Sequence, residues 1–448
     1  MSRAMFRAAP AVVLVSGRNA TTVTKAAGRA AALGIPLLLV GDGRAGSAAG
    51  PGGALARELD RLGARSVLAL DRTARAAAER LTGSDVVTDP ARLPAIRPPS
   101  PVTPVTVLVP AGDVPGMATG LAAAIGTARA AGARIQPVHS ADPRADPTAI
   151  AALAAHPPAA VIGLGPHFGP AGRLAARVAT AVTGVQLPGG GQVMFPGRRL
   201  VALYGNPYDG NLGALGQQDL PATIARAKQV AQSYRALSDV PVVPTFEIIA
   251  TIATAGAGPD GDYSAESTVA DLKPWVDAAT EAGLYVILDL QPGRAHLLDQ
   301  AKRYASLLTN PSVGLALDPE WKLGPGQLPL QQIGGVDAAE VNQVIDWLAD
   351  LTAAHHLPQK VLVLHQFRLA MLRDESRIDT SNDHVTVLIH MDGQGAPHLK
   401  DDTWRAVLAA APPGVHFGWK NFYVKDTPML SPTQTMDRSP QPVMISYQ

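Results

Sequence analysis

The chain contains no cysteine, which removes a disulfide framework, a thiolate nucleophile and any cysteine metal site at once. Aromatic residues make up only 4% of its 448 positions, so each one near a functional region carries weight. No apolar run reaches the roughly 18 residues that a membrane span requires, and none is expected. Lysine is rare in the first half, where arginine supplies the positive charge. Residues 1–15 are basic and then apolar, but 11–15 read better as a first β-strand than as the core of a secretory signal.

What is present suits a globular chain of two or three domains with large cores. The net charge of +1 hides an asymmetry: residues 1–195 hold 19 Lys+Arg against 10 Asp+Glu, and the remainder 19 against 27. Halves of opposite sign argue for two domains with different partners. The first half alternates strands and Ala-rich helices, with strands expected at 11–16, 35–40, 66–70, 105–110, 134–138 and 159–164. That order predicts parallel sheets, as Rossmann-like βα repeats over 9–190, with a proline-rich linker at 94–104 between two repeats. Gly41-Asp-Gly43 and Gly163-Leu-Gly165 are too short for the dinucleotide fingerprint, so NAD and any other cofactor are not expected.

After a glycine- and proline-rich passage at 184–199, eight strand-like runs follow: 200–205, 240–252, 284–290, 313–317, 360–365, 384–389, 415–419 and 443–447. Helical spacing fills the gaps except the last, where the loop 424–442 replaces a helix. Eight strands with helices between them over 198–448 predict a (β/α)8 TIM-type barrel.

The clearest strand end is Val313-Gly-Leu-Ala-Leu-Asp-Pro-Glu-Trp321, a buried run that passes into Asp318 and Glu320. Alternation would turn those two carboxylates the same way, at the rim where such barrels build active sites. Other strands end alike: Tyr204 and Asn206 with Tyr208, then Glu247, Asp289 with Gln291, His365-Gln366, His390 with Asp392, and Trp419-Lys420. Glu320, Asp318, Asp289 and Glu247 are the expected catalytic carboxyls. Tyr204, Asn206, Tyr208, Gln291, Trp321, His365, Gln366, His390, Asp392, Trp419 and Lys420 are expected to bind substrate. Paired carboxyls with aromatic platforms are what glycosyl transfer to water requires.

Two resemblances extend this reading. Residues 12–42 (VVLVSGRNATTVTKAAGRAAALGIPLLLVGD) and 55–70 (LARELDRLGARSVLAL) resemble the cell-wall-binding type 2 repeat of bacterial surface proteins, a likeness that covers roughly 11–70 and more loosely 105–165, without its usual RYxTA segment. The resemblance implies non-catalytic attachment to a cell-wall polysaccharide or anionic polymer, and an extracellular or envelope location. The Leu317-Asp-Pro-Glu-Trp321 strand end resembles the chitinase-type and muramidase-type glycoside hydrolase families. That likeness implies Glu320 as general acid, Asp318 as its orienting partner or a guide for a substrate acetamido group, and Asp289 or Glu247 as stabilising carboxylate or nucleophile. The further upstream Asp of the chitinase-type motif falls here on an apolar stretch, which speaks against substrate-assisted catalysis.

Two alternatives stand beside it. Glu247, Asp289, His365, His390 and Asp392 are a candidate oxygen and nitrogen set for Mn or Zn, although no HxH or HExxH spacing supports a metal. The barrel is also readable as a glycan-binding protein without turnover. Asp260-Gly-Asp262-Tyr-Ser264 opens like a calcium loop but lacks the later offsets, and reads as a loop over the site. Nucleic acid is not an expected partner, because the barrel is acidic and the basic half lacks lysine and interleaved aromatics. The sequence leaves the oligomeric state, the glycan and its linkage open.

Overall fold

Short apolar runs punctuated by glycine become parallel strands in the computed structural model, which describes residues 1–41, 53–81, 83–96, 104–112 and 116–448. The Gly41-Asp-Gly43 turn beyond residue 41 and most of the 94–104 linker lie outside the described residues. The chain divides into two units, Met1–Gly184 and Val185–Gln448.

The first unit holds two parallel sheets. One runs in the order Leu37–Val40, Ala11–Ser16, Ser66–Ala69, Asp85–Val87, and the other Arg134–Val138, Val105–Pro110, Ala160–Gly163. The Asn19 side chain accepts from the Thr22 amide at 3.0 Å to start the helix Ala20–Leu33, and Gly34 ends it in the left-handed region at φ 69°. Small residues let this helix approach Ala118–Ala130 closely: a Cβ on Gly126 would lie 2.5 Å from the Ala27 Cβ. Thr127 then reaches the edge strand and bonds both the N–H and the carbonyl of Leu37 at 3.1 Å. Among the elements that go beyond the sequence reading are the helices Ser2–Met5, Arg72–Ala78 and Ala171–Ala181, and the three-residue strand Asp85–Val87.

The second unit is a closed barrel of eight parallel strands: Arg199–Gly205, Val242–Ala253, Tyr285–Leu290, Val313–Leu317, Lys360–Gln366, Val385–Met391, His416–Asn421 and Met444–Tyr447. Closure is direct, since Leu200 registers with Val243 on one side and Met444 on the other. Side chains alternate between the helix-facing shell and the interior. The lower interior is apolar, with Leu200, Ala202, Val243, Tyr285, Ile287, Ala316, Val361, Val363, Leu388 and Met444 in one buried cluster.

That cluster also contains Leu187, Met194 and Phe195, so the glycine- and proline-rich passage 184–199 is part of the barrel core. The passage closes the lower barrel mouth because its few large side chains are apolar. Arg198 fixes it by donating to the carbonyls of Met194 at 3.1 Å, Gly190 at 2.6 Å and Val193 at 3.0 Å. Two helices expected after strands also differ. The segment after strand five is a pair of 3₁₀ turns, Leu369–Met371 and Glu375–Arg377, around a two-residue strand that pairs with Val336–Asp337. Helix 295–308 breaks at Tyr304 into Leu297–Arg303 and Ala305–Leu308, and the Tyr304 hydroxyl lies 2.9 Å from the Ala250 and Ser267 carbonyls.

Lys360, fully buried at the start of strand five, gives its ammonium to the carbonyls of Val313 at 2.7 Å, Pro311 at 3.4 Å and Asn310. Among the described residues no carboxylate is paired with it, and burial pulls its pKa down to about 7. An unfolded lysine keeps its proton to about pH 10.4, so between these values the unfolded chain binds a proton that the folded chain does not. Stability is therefore expected to rise with pH from about 7 to 9.5, and Lys360→Met to abolish that rise. Urea midpoints measured for both proteins across this window check it; parallel curves would mean that Lys360 stays charged when folded.

Candidate active site

Two residues above the apolar layer, on the inward-facing positions of the same strands, the barrel turns polar. Strands one to eight place Tyr204, Glu247, Asp289, Asp318, His365, His390, Lys420 and Ser446 at this level. Bonds that cross the lumen tie the layer together. The Tyr204 hydroxyl donates to Asp289 Oδ2 at 2.9 Å, and the Gln291 amide reaches the Tyr204 hydroxyl at 3.4 Å.

His365 is the centre of the layer. Its Nε2 lies 3.0 Å from Glu247 Oε1 and 3.8 Å from Asp289 Oδ1, and its Nδ1 lies 3.0 Å from Asp392 Oδ2. Ionised carboxylate oxygens only accept, so both ring nitrogens must donate, which makes the ring an imidazolium. Burial opposes that charge, but Asp289, Asp392 and Glu247 together outweigh it and hold the His365 pKa well above its ordinary value. His390 is the opposite case. Burial, then the charges of His365 and Lys420, keep it neutral, with Nε2 2.7 Å from Ser446 Oγ. Gly418 makes room for it, since a Cβ there would lie 2.1 Å from His390 Nδ1.

Above this layer opens a pocket of about 310 Å³, lined among others by Tyr204, Gln291, Asp318, Glu320, Trp321, Asp392 and Lys420. Glu320 and Trp321 also line a second pocket of about 340 Å³. Strand four stops at Leu317, and Pro319–Trp321 forms a 3₁₀ turn whose Glu320 amide donates to Asp318 Oδ1 at 3.3 Å. Asp318 therefore caps the turn and still faces the pocket, so the turn rather than strand alternation brings the two carboxyls together. One carboxylate oxygen each of Asp318, Glu320 and Asp392 lies within 4.8 Å of the others.

These three carboxyls differ in charge. Burial raises the Asp318 pKa well above the carboxylate range, helped by Asp289, Asp392 and Glu320 against the pull of His365. Burial and the charge of Asp392 raise Glu320, while Lys420, His365 and Lys425 act against them. For Asp392 burial also pushes upward, but the His365 hydrogen bond and the charges of His365 and Lys420 win and hold it below the usual value. The site thus has two carboxyls biased toward the acid form and one biased toward the anion.

The remaining expected residues fall into other roles. Glu247 and Asp289 are fully buried beneath the pocket as partners of His365 and Tyr204, not at its surface. His365 and His390 lie equally deep. Trp419 points outward into a cluster with Trp404 and Ile389, its Nε1 donating to Asn421 at 2.9 Å, so it is no sugar platform. Gln366 also faces out, donating to Glu375 at 2.9 Å. Asn206 is a turn residue that donates to the Ile249 carbonyl at 3.0 Å and accepts from the Tyr208 amide at 2.9 Å. Tyr208 is 61% exposed and bonded to the Asp271 carbonyl, outside the pocket lining. Phe422 and Gln394 line the pocket but were missed; each lies two residues beyond a predicted inward position, so the same alternation carried a signal for both.

The expected metal set does not assemble, because both nitrogens of His365 are committed to carboxylates and His390 is bound to Ser446. Among the described residues, the oxygen groupings close enough to share an ion are Asp318, Glu320 and Asp392 in the pocket, and Asp260, Asp262 and Glu266 in the loop after strand two.

Replacing His365 by Asn would leave Glu247, Asp289 and Asp392 without their buried counter-charge, at an expected cost of about 3–5 kcal/mol. A histidine pKa raised on folding contributes stability that is complete below about pH 6.5 and fades as pH rises through its folded value. The deficit of His365→Asn should therefore be greatest at pH 6 and shrink toward pH 9. Denaturant unfolding at the two pH values tests this, and equal stability at pH 6 would refute the imidazolium.

No family model matches this chain, and no curated protein matches it. Among solved structures, the chain is similar to a protein assigned as a dihydrodipicolinate synthetase from Pseudomonas aeruginosa, at 12% identity and a TM-score of 0.29, over 56% of this chain and 70% of that one.

Proposed function

We propose that the barrel is a glycoside hydrolase-like enzyme in which Glu320 is the general acid and Asp392 the anionic partner. The observation that carries this reading is a pair of pocket carboxyls, within 4.8 Å of each other through one oxygen each, whose surroundings drive their pKa values apart. Opposed shifts in neighbouring carboxyls assign acid and base roles. Glu320 would protonate the leaving glycosidic oxygen, while Asp392 stabilises or attacks the oxocarbenium-like carbon. Asp392 takes the part that the sequence reading gave to Asp289 or Glu247, which serve instead to hold His365 charged beneath it. The short separation favours the retaining geometry, because inverting pairs leave room for a water between them.

The two pockets that Glu320 lines support the same reading, since a scissile bond over this residue leaves space for a sugar in each. Trp321 borders both and offers an aromatic face there. On this view the first unit, with its surplus of basic residues, attaches the protein to an anionic cell-envelope polymer, and the barrel acts on a bacterial surface polysaccharide.

The test is reducing-end release from a panel of envelope polysaccharides by wild type, Glu320→Gln and Asp392→Asn. Both variants are expected to lose at least about 10²-fold in kcat. The wild-type pH profile should be a bell, with an acidic limb below the ordinary carboxylate range from Asp392 and a basic limb above it from Glu320; Glu320→Gln removes the basic limb. Undiminished turnover in Glu320→Gln would remove the acid role. Turnover abolished by EDTA would make the Asp318, Glu320 and Asp392 oxygens metal ligands instead. Binding of glycan without turnover by wild type would leave a binding protein.

A further inference from the structure

Lysine is the costliest common side chain to bury without a partner, because its ammonium has three donors and a compact charge. Among the described residues three lysines are buried: Lys360, Lys400 and Lys420. Lys360 gives its donors to backbone carbonyls. Lys400 donates to the Lys420 carbonyl at 2.7 Å and is ion-paired with Asp426. Lys420 differs. Only 3% of it is exposed, yet its ammonium has no hydrogen bond and no ion pair among the described residues. It sits over the Tyr204 ring, 3.4 Å from the centroid, and 5.4 Å from that of Phe422, with the chain lining the 310 Å³ pocket. Ring faces attract a cation but satisfy none of its donors.

Five residues on, exposed Lys425 lines the same pocket, also without a hydrogen bond or ion pair among the described residues. The strand-seven wall of the pocket thus presents two cations. The carboxyls Asp318 and Glu320 stand on the strand-four turn, and their raised pKa values limit their opposing charge. Asp392 remains the facing anion, and His365 is bonded to it from below.

We propose that Lys420 and Lys425 form an anion subsite, so that the group taken into this pocket carries an ionised substituent, either a carboxylate or a phosphate ester. That the group is a sugar rests on the hydrolase reading; the anion subsite itself does not. A neutral ligand would cover Lys420 and leave its donors unpaired, and buried polar groups left unpaired are what produce strong discrimination. An anionic oxygen completes the ammonium. Lys425, at the exposed edge, adds attraction that salt screens.

The test is calorimetric binding to the full-length protein. The probes are inorganic phosphate, the gluco-, galacto- and mannuronates, the corresponding hexose 6-phosphates, and the neutral hexoses. Wild type is expected to bind at least one anionic probe about tenfold or more tightly than its neutral parent. Lys420→Met should erase that preference, and Lys425→Met should reduce it and flatten its salt dependence. If Lys420→Met does not fold, Lys420→Arg, which keeps the charge, and Lys425→Met, on an exposed residue, carry the comparison. Uronates bound without hexose phosphates or inorganic phosphate identify a carboxylate, and the reverse a phosphate. Wild type with no preference for any anionic probe, or a preference that survives in both variants, overturns the subsite. Anion preference without turnover of any polysaccharide would sink the hydrolase reading and leave the subsite standing. Turnover of neutral and acidic polymers alike, with no binding preference, would do the opposite.

Discussion

A single imidazolium holds the upper barrel together. His365 reaches from strand five to Glu247 on strand two and Asp392 on strand six, at 3.0 Å each, with Asp289 of strand three 3.8 Å away. Two adjacent pairs of strands, two with three and five with six, are thereby tied through one ring. Carboxylates this deep would each neutralise if left alone, because burial disfavours their charged form. Placing a cation at their centre removes that option for Asp392 and raises the cost of losing the ring. Below this layer the interior is apolar and the barrel is held by packing; above it the pocket opens. The imidazolium is the boundary between core and chemistry.

The division of labour among the carboxyls follows from distance to that ring. Asp392 is bonded to it and is held anionic. Asp318 and Glu320 feel it without a bond, and burial with mutual repulsion dominates them. One cation therefore helps sort the three pocket carboxyls into an anion and two acids without any difference in side-chain chemistry. The sorting needs a dry site, and the lower plug of Leu187, Met194 and Phe195 contributes by closing the far end of the barrel.

Much of this was legible from residues alone. All eight barrel strands were placed to within two or three residues, because β-branched and leucine runs bounded by glycine and proline leave few alternatives. The polar residues at strand ends were also visible. Which of them face the lumen was decidable and was missed at two points. Trp419 and Lys420 are adjacent, as are His365 and Gln366, so each pair has one member inside and one outside. The apolar layer beneath already indicated which. Depth was not decidable. Whether an inward carboxyl lines a pocket or lies under it depends on the stagger of strands around the barrel, and that stagger is a property of closure. Glu247 and Asp289 were placed one level too high for this reason, and Asp392, the residue that takes their part, was placed among binding groups.

The sequence Asp318-Pro-Glu-Trp shows how local chemistry completes what closure begins. Proline cannot donate to the next strand, so the ladder stops at Leu317 and the chain must turn. Its fixed φ suits the first position of a helical turn, and Asp318 supplies the cap by accepting the Glu320 amide. A turn of this kind lifts Glu320 off the strand direction and into the lining of both pockets. On a continuing strand, Glu320 would have stood one level further along the same wall, away from Asp392. The turn bends it back within 4.8 Å of that anion, close enough for each carboxyl to set the other's charge. The same three residues that end the strand therefore create the acid.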